Sequence, residues 1–232
     1  MDKLKKEDIC FILVPGFDYD AEPVSRLDTY LRRQGYATRP TSFWGDGPMD
    51  FSKLDMEECL EGLRRVIAET AMEYSYVIGI GTSLGAAMLL DCAKGDTSLS
   101  AVVSIGAPFR LKFRRTLRML IRTIYPILRK WWTFAGINSK WLAGKQVVKY
   151  LDGVFQENID QVKIPVLFLQ STRDMVALRQ AIEEYFSIFG AKAKKNVYVR
   201  GVNHTFWGHE AIVYKEFSEF LSEESFNLEF NR

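Results

Sequence analysis

The chain has 232 residues, 47% of them apolar and 13% aromatic, with a formal net charge of +2. That length and apolar content suit one large domain, or two small ones, with a sizeable core. They leave out a membrane-spanning protein, because no run of about 18 apolar residues exists, and the charged segment Met1–Asp8 followed at once by a strand-like run speaks against a signal peptide.

Ile9–Val14 is a short continuous apolar run ended by Pro15-Gly16, the pattern of a strand buried on both faces. Glu22–Arg33 carries Val24, Leu27, Tyr30 and Leu31 at helical spacing, with Gly35 past its end. Tyr36–Pro40 reads as a second, shorter strand, and Trp44-Gly45-Asp46-Gly47-Pro48 as a loop. Met56–Tyr74 is predicted as a long helix, with Leu60, Leu63, Ile67 and Ala71 on one face. Tyr76–Ile80 is a strand, Leu84–Lys94 a helix closed by Gly95, and Ser100–Ile105 another buried strand ended by Gly106-Ala107-Pro108. Further strands are expected at Val166–Gln170 and Asn196–Val199, and helices at Ala177–Phe189 and Glu210–Glu223. Apolar strands alternating with helices predict an α/β fold: a single doubly wound domain over residues 1–232 with a mainly parallel six-stranded sheet. Its active residues would lie on loops at the carboxyl ends of strands.

One stretch carries chemistry. Gly81-Thr82-Ser83-Leu84-Gly85 stands directly after a β-branched run and directly before an Ala/Leu-rich helical run. The bare Gly-x-Ser-x-Gly pattern turns up by chance in about one chain in ten of this length. The strand before it and the helix after it are what a nucleophile elbow needs. The helix also points its free N–H groups and positive dipole end at Ser83.

A serine hydroxyl needs a neighbouring base. The chain has two histidines. His204 follows the last predicted strand, at the same sheet edge as Ser83, whereas His209 reads as a first-turn surface residue of the last helix. The base in turn needs a carboxylate. Asp174 lies just past the strand Val166–Gln170; its bland role would be the N-cap of the next helix, and Asp152 is the competing carboxylate. The oxyanion donors should be the backbone N–H groups of Leu84, after the nucleophile, and of Phe17, in the loop after the first strand.

These residues resemble the α/β-hydrolase-fold serine hydrolases, and the chain is similar to small bacterial carboxylesterases and monoacylglycerol lipases. The likeness rests on Val14-Pro15-Gly16-Phe17, Gly81-Thr82-Ser83-Leu84-Gly85, Ala107-Pro108, Arg173-Asp174-x-Val176 and Asn203-His204, and on the order Ser83…Asp174…His204. Departures are Pro15 and Asn203, where the family often has His and Gly. The resemblance implies hydrolysis of small acyl esters by a Ser83–His204–Asp174 triad, without a cofactor, and a helical cap inserted after the strand that ends at Ile105. Thioester hydrolysis would use the same groups, and a catalytically silent fold that binds lipid or a partner is the alternative of a different class.

The expected cap, residues 109–155, is unusual. Eleven of the 31 basic residues and none of the 29 acidic ones fall between Arg110 and Leu151, leaving a net of −9 elsewhere. Phe113, Leu117, Leu120, Ile121, Ile124 and Leu128 recur at helical spacing, Arg114, Arg118 and Arg122 form a separate stripe, and Trp131, Trp132 and Trp141 follow. A lid with solvated arginines, a lid that docks on anionic lipid and a site for an anionic substrate are the three readings. Nucleic acid is not expected as a partner, because no recognition motif is present and the body is acidic. No His/Cys/carboxylate cluster has metal-ligand spacing. Cys10, Cys59 and Cys92 are widely spaced within apolar runs, the pattern of buried, reduced thiols in a cytoplasmic protein, with peripheral membrane association if the cap meets lipid. Acyl length and oligomeric state have no signature in the sequence.

Overall fold

A computed structural model describes residues 5–17, 22–42, 54–95, 97–110, 137–174, 176–177 and 179–222. Six strands, β1 (Ile9–Val14), β2 (Ala37–Pro40), β3 (Tyr76–Thr82), β4 (Ala101–Ile105), β5 (Val166–Ser171) and β6 (Lys194–Val199), form one sheet in the order β2-β1-β3-β4-β5-β6. Every pairing is parallel. Among the described residues six α-helices cover it: α1 (Glu22–Arg33), α2 (Met56–Ala71), α3 (Leu84–Cys92), α4 (Ile137–Val154), α5 (Arg179–Phe186) and α6 (Glu210–Ser222).

Alternate residues of a strand face opposite sides of the sheet, and β1 shows the result. Ile9, Phe11 and Leu13 join Val24, Leu27 and Leu31 of α1 and Val213, Phe217 and Phe220 of α6 in one buried cluster. Ile12 and Val14 join α2, α3, α4 and α5 in the other, through Leu60, Leu63, Met88, Leu151 and Ile182 among others. A sheet buried on both faces requires strands apolar on both faces, which is why β1, β3 and β4 read as continuous runs.

The last turn of α4 is fixed on α3 by polar contacts as well. The Lys94 ammonium lies 2.8 Å from Asp91 and donates to the Val154 carbonyl at 2.6 Å, and Tyr150 donates its hydroxyl to Asp91 at 3.2 Å. Of the insert 109–155, residues 111–136 lie outside the described residues; so do the arginine stripe, the apolar face Phe113–Leu128 and Trp131-Trp132. No described helix is long and apolar enough to cross a membrane.

The six strands and α1, α2, α3, α5 and α6 lie where the sequence places them, with shifted ends, whereas α4 falls within the expected cap at a place where the sequence reading sets no helix. β3 continues two residues past Ile80, up to the elbow, and β6 starts at Lys194. The expected helix Ala177–Phe189 is shorter. It begins at Arg179, because Val176 and Ala177 give their amides to the Asp174 side chain, and it ends at Phe186, after which Phe189 turns into the core.

In such a sheet, ligands bind outside the carboxyl ends of the strands where the strand order reverses. Here the chain leaves β1 toward β2 on one side and returns to β3 on the other. The loop after β1 and the turn after β3 therefore meet at that crevice.

Candidate active site

Ser83 is the single residue between β3 and α3, with φ 51° and ψ −114°. An L residue reaches this backbone conformation only under restraint, at a cost of about 1–3 kcal/mol. The restraint is visible. The Ser83 amide donates to the Ile105 carbonyl of β4 at 2.8 Å, and its carbonyl accepts from Ala86 and Ala87 in the first turn of α3. The flanking glycines are required sterically. A Cβ on Gly81 would stand 2.5 Å from the Gly85 carbonyl carbon, and one on Gly85 only 2.4 Å from the Val14 and Pro15 carbonyl oxygens. α3 thus lies directly on the end of β1.

That contact brings the loop after β1 to the serine. A Cβ on Gly16 would stand 3.3 Å from the Ser83 Cβ. Phe17, half-buried, packs against the core cluster that includes Val14 and Leu84. Leu84 opens α3, where the first N–H groups of a helix have no acceptor within it.

Asp174 and His204 are joined. His204 donates Nδ1–H to the Asp174 Oδ2 at 2.6 Å, with the Asp174 side chain 3% exposed. The other carboxylate oxygen accepts from the Val176 and Ala177 amides at 2.7 and 2.9 Å. Asp174 therefore serves as a turn cap and as the partner of His204 at once, one oxygen for each. Burial alone would push its carboxyl up, but the hydrogen bond and charge of His204 and the two amides outweigh it and hold the group below its ordinary 3.8. Asp152 is a residue of α4, and it is Asp174 that meets the imidazole.

The far ring nitrogen of His204, Nε2, is buried and has no hydrogen-bond partner among the described residues. A buried polar atom without a partner is costly and calls for an explanation. Its surroundings connect it to the elbow. Ser83 is bonded to Ile105, and the next residue, Gly106, lies against the imidazole: a Cβ there would be 3.1 Å from both Nδ1 and Cε1 and 2.6 Å from the His204 carbonyl oxygen. Gly106 has φ +60°, so side-chain size and backbone conformation both favour glycine. The sequence marks Gly106 only as the end of a strand; a glycine at the carboxyl end of the strand beside the elbow is the signal that could have assigned it to the site.

His209 stands apart, donating Nδ1–H to the Trp207 carbonyl at 3.0 Å. Among the described residues no cluster of His, Cys, Asp or Glu could hold a metal ion.

The whole arrangement can be compared with solved structures. A metagenome-derived lipolytic enzyme superposes with a TM-score of 0.72 over 94% of this chain and 95% of its own, at 14% identity. A monoacylglycerol lipase from Paleococcus ferrophilus gives 0.63 over 92% and 94%, at 17% identity. A soluble variant of monoglyceride lipase from Saccharomyces cerevisiae gives 0.65 over 92% and 87%, at 15% identity. The chain has the α/β-hydrolase fold. Within it, Ser83 stands between β3 and α3, Asp174 on the loop after β5 and His204 on the loop after β6. No protein-family model and no curated protein sequence matches the chain. At identities of 14–17% the likeness is one of backbone architecture.

Proposed function

We propose that the protein is a serine hydrolase that cleaves carboxylic esters of small acyl or monoacylglycerol type. The observation that carries this reading is the Asp174–His204 pair, closed at 2.6 Å, with the opposite imidazole nitrogen buried and without a partner among the described residues. An imidazole held by a carboxylate on one nitrogen, with the other waiting, is the arrangement of a general base. The strained serine on the neighbouring strand end is the matching nucleophile. The solved structures of similar shape include lipases and esterases, which supports an ester as the substrate class.

In this reading Ser83 Oγ passes its proton to His204 Nε2 and bonds to the ester carbonyl carbon. The carbonyl electrons move onto its oxygen, which the N–H groups of Phe17 and Leu84 receive. Asp174 stabilises the imidazolium. The C–O bond to the leaving alcohol breaks as His204 returns the proton to it, leaving an acyl ester on Ser83. Water then repeats the sequence, His204 taking its proton, and releases the acid. The insert 109–155 is proposed as the cap of this site, since it leaves the sheet at the carboxyl end of β4 and rejoins it through α4 on top of α3.

Labelling with a fluorophosphonate probe tests the reading. The expected result is a stoichiometric adduct on the peptide containing Ser83, lost in His204→Ala. Folded protein that takes up no label, with and without anionic liposomes, would refute it.

A further inference from the structure

β5 ends in a residue to which neither the strand nor the proposed chemistry gives a role. Ser171 is 2% exposed, on the face of the sheet where Leu167, Leu169 and Val202 pack. Its hydroxyl makes two hydrogen bonds. It donates to the Val202 carbonyl at 2.8 Å, across 31 residues of chain, and accepts from the Arg173 amide at 3.1 Å. The first bond reaches the loop after β6, two residues before His204. The second holds the turn after β5, which Asp174 closes by donating its amide to the Ser171 carbonyl at 3.3 Å. The ladder between the strands runs one residue further through Thr172, whose amide donates to Val199 at 3.0 Å. Beyond that point the Ser171 hydroxyl links the loop that carries Asp174 to the loop that carries His204.

We infer that Ser171 is a positioning residue: its hydroxyl sets the distance and angle between Asp174 and His204 by tying the loop of each to the same oxygen. This rests on the reading of the pair as the base of a hydrolase. The geometric argument is direct. A hydrogen bond of 2.6 Å between groups on two separate loops holds only if the loops keep their spacing, and no regular strand pairing extends that far. Alanine at 171 would leave the buried Val202 carbonyl without this partner and free the Arg173 amide of it as well, so that this tie between the loops would be lost. Displacement of a catalytic group by about 1 Å can cost as much as 100-fold in rate.

The experiment compares wild type, Ser171→Ala, Asp174→Asn and the double variant with a short-chain p-nitrophenyl ester, with Ser83→Ala as the blank. Ser171→Ala is expected to lower kcat by about 10-fold or more and to leave KM within about twofold. In the Asp174→Asn background the same change is expected to cost less than about twofold, because the pair it positions is already broken. Equal losses in both backgrounds, or an unchanged kcat, would overturn the inference. If Ser171→Ala does not fold, Ser171→Cys, similar in size and a weaker hydrogen-bonding group, carries the same comparison. A second readout does not depend on turnover: the low-field proton resonance of the Asp174–His204 hydrogen bond. It should be present in wild type and in Ser83→Ala, and broadened or lost in Ser171→Ala. Were the ester uncleaved, or cleaved equally by Ser83→Ala, the hydrolase reading would fail while the resonance still decided the role of Ser171; a resonance unmoved by the substitution would reject it.

Discussion

Gly106 presses on His204: any Cβ at 106 would lie 3.1 Å from two atoms of the imidazole and 2.6 Å from the His204 carbonyl oxygen. The end of β4 is therefore one wall against which the ring rests, and the next residue inward, Ile105, holds the Ser83 amide. On the proposed mechanism, Gly106→Ala is expected to displace the ring and to lower kcat/KM by up to about 100-fold. Steady-state ester hydrolysis beside circular dichroism checks this; a folded variant of undiminished activity would contradict it.

Two glycines at the contacts between α3 and the sheet, Gly85 in α3 and Gly79 in β3, should respond differently. At Gly85 a methyl would run into the carbonyl oxygens of Val14 and Pro15 at 2.4 Å, and backbone cannot give way cheaply. At Gly79 it would meet the Cδ2 of Leu89 at 2.7 Å, the far end of a flexible side chain. Gly85→Ala should cost about 3 kcal/mol, at the upper end of overpacking penalties, and Gly79→Ala about 1 kcal/mol. Urea unfolding of both variants gives the comparison; equal costs would mean that α3 can lift from the end of β1.

Asp174 ties stability to acidity. Its carboxyl sits below the ordinary 3.8 in the folded protein, so the folded state binds this proton more weakly than the unfolded chain does. The group contributes stability above the ordinary aspartate value, and that contribution fades as the pH falls through the depressed folded value. Asp174→Asn should therefore be less stable than wild type near neutrality, with the gap narrowing below about pH 4. Its activity should fall by about 10⁴-fold. Urea midpoints measured from pH 3 to 7 would contradict the first expectation if the gap stayed constant.

The thiols should be inert in the native state. Cys10 and Cys92 are buried and Cys59 is half-buried, and all three are thiols rather than halves of a disulfide. Burial pushes Cys59 up to about 11 and Cys92 up to about 12, and raises Cys10 as well. At pH 8 almost no thiolate is present, and the thiolate is the reactive form. Titration with a disulfide reagent should find all three thiols in denaturant and only slow reaction without it. A thiol that reacts within seconds in folded protein would contradict this.

Much of this architecture is written locally, and the rest is not. Ile9–Val14 and Ser100–Ile105 announce buried strands by composition alone, and Gly81-Thr82-Ser83-Leu84-Gly85 announces a turn by the two small residues it needs. The ends of elements are less legible, because they depend on partners distant in the chain. β3 runs on to Thr82 since Gly81 pairs with Ser104 and Thr82 with Ile105. α5 starts late since Asp174 takes the Val176 and Ala177 amides. Gly106 and Ser171 escaped a reading by motif for the same reason. One matters through a ring nearly a hundred residues downstream, the other through the carbonyl of Val202, and neither partner can be named before the strands are in register. The burial of Cys59 was overestimated because an apolar run on a helix says little about which edge of the buried face a residue occupies.

The conformation of Ser83 has a further consequence. At φ 51° the backbone at position 83 suits a residue without a Cβ. As far as folding is concerned, glycine would be the better occupant, and Ser83→Gly should be at least as stable as wild type. The hydroxyl thus stands at a point in the elbow where structural economy argues against it. On the proposed reading of Ser83 as the nucleophile, the elbow gives up stability to carry that oxygen.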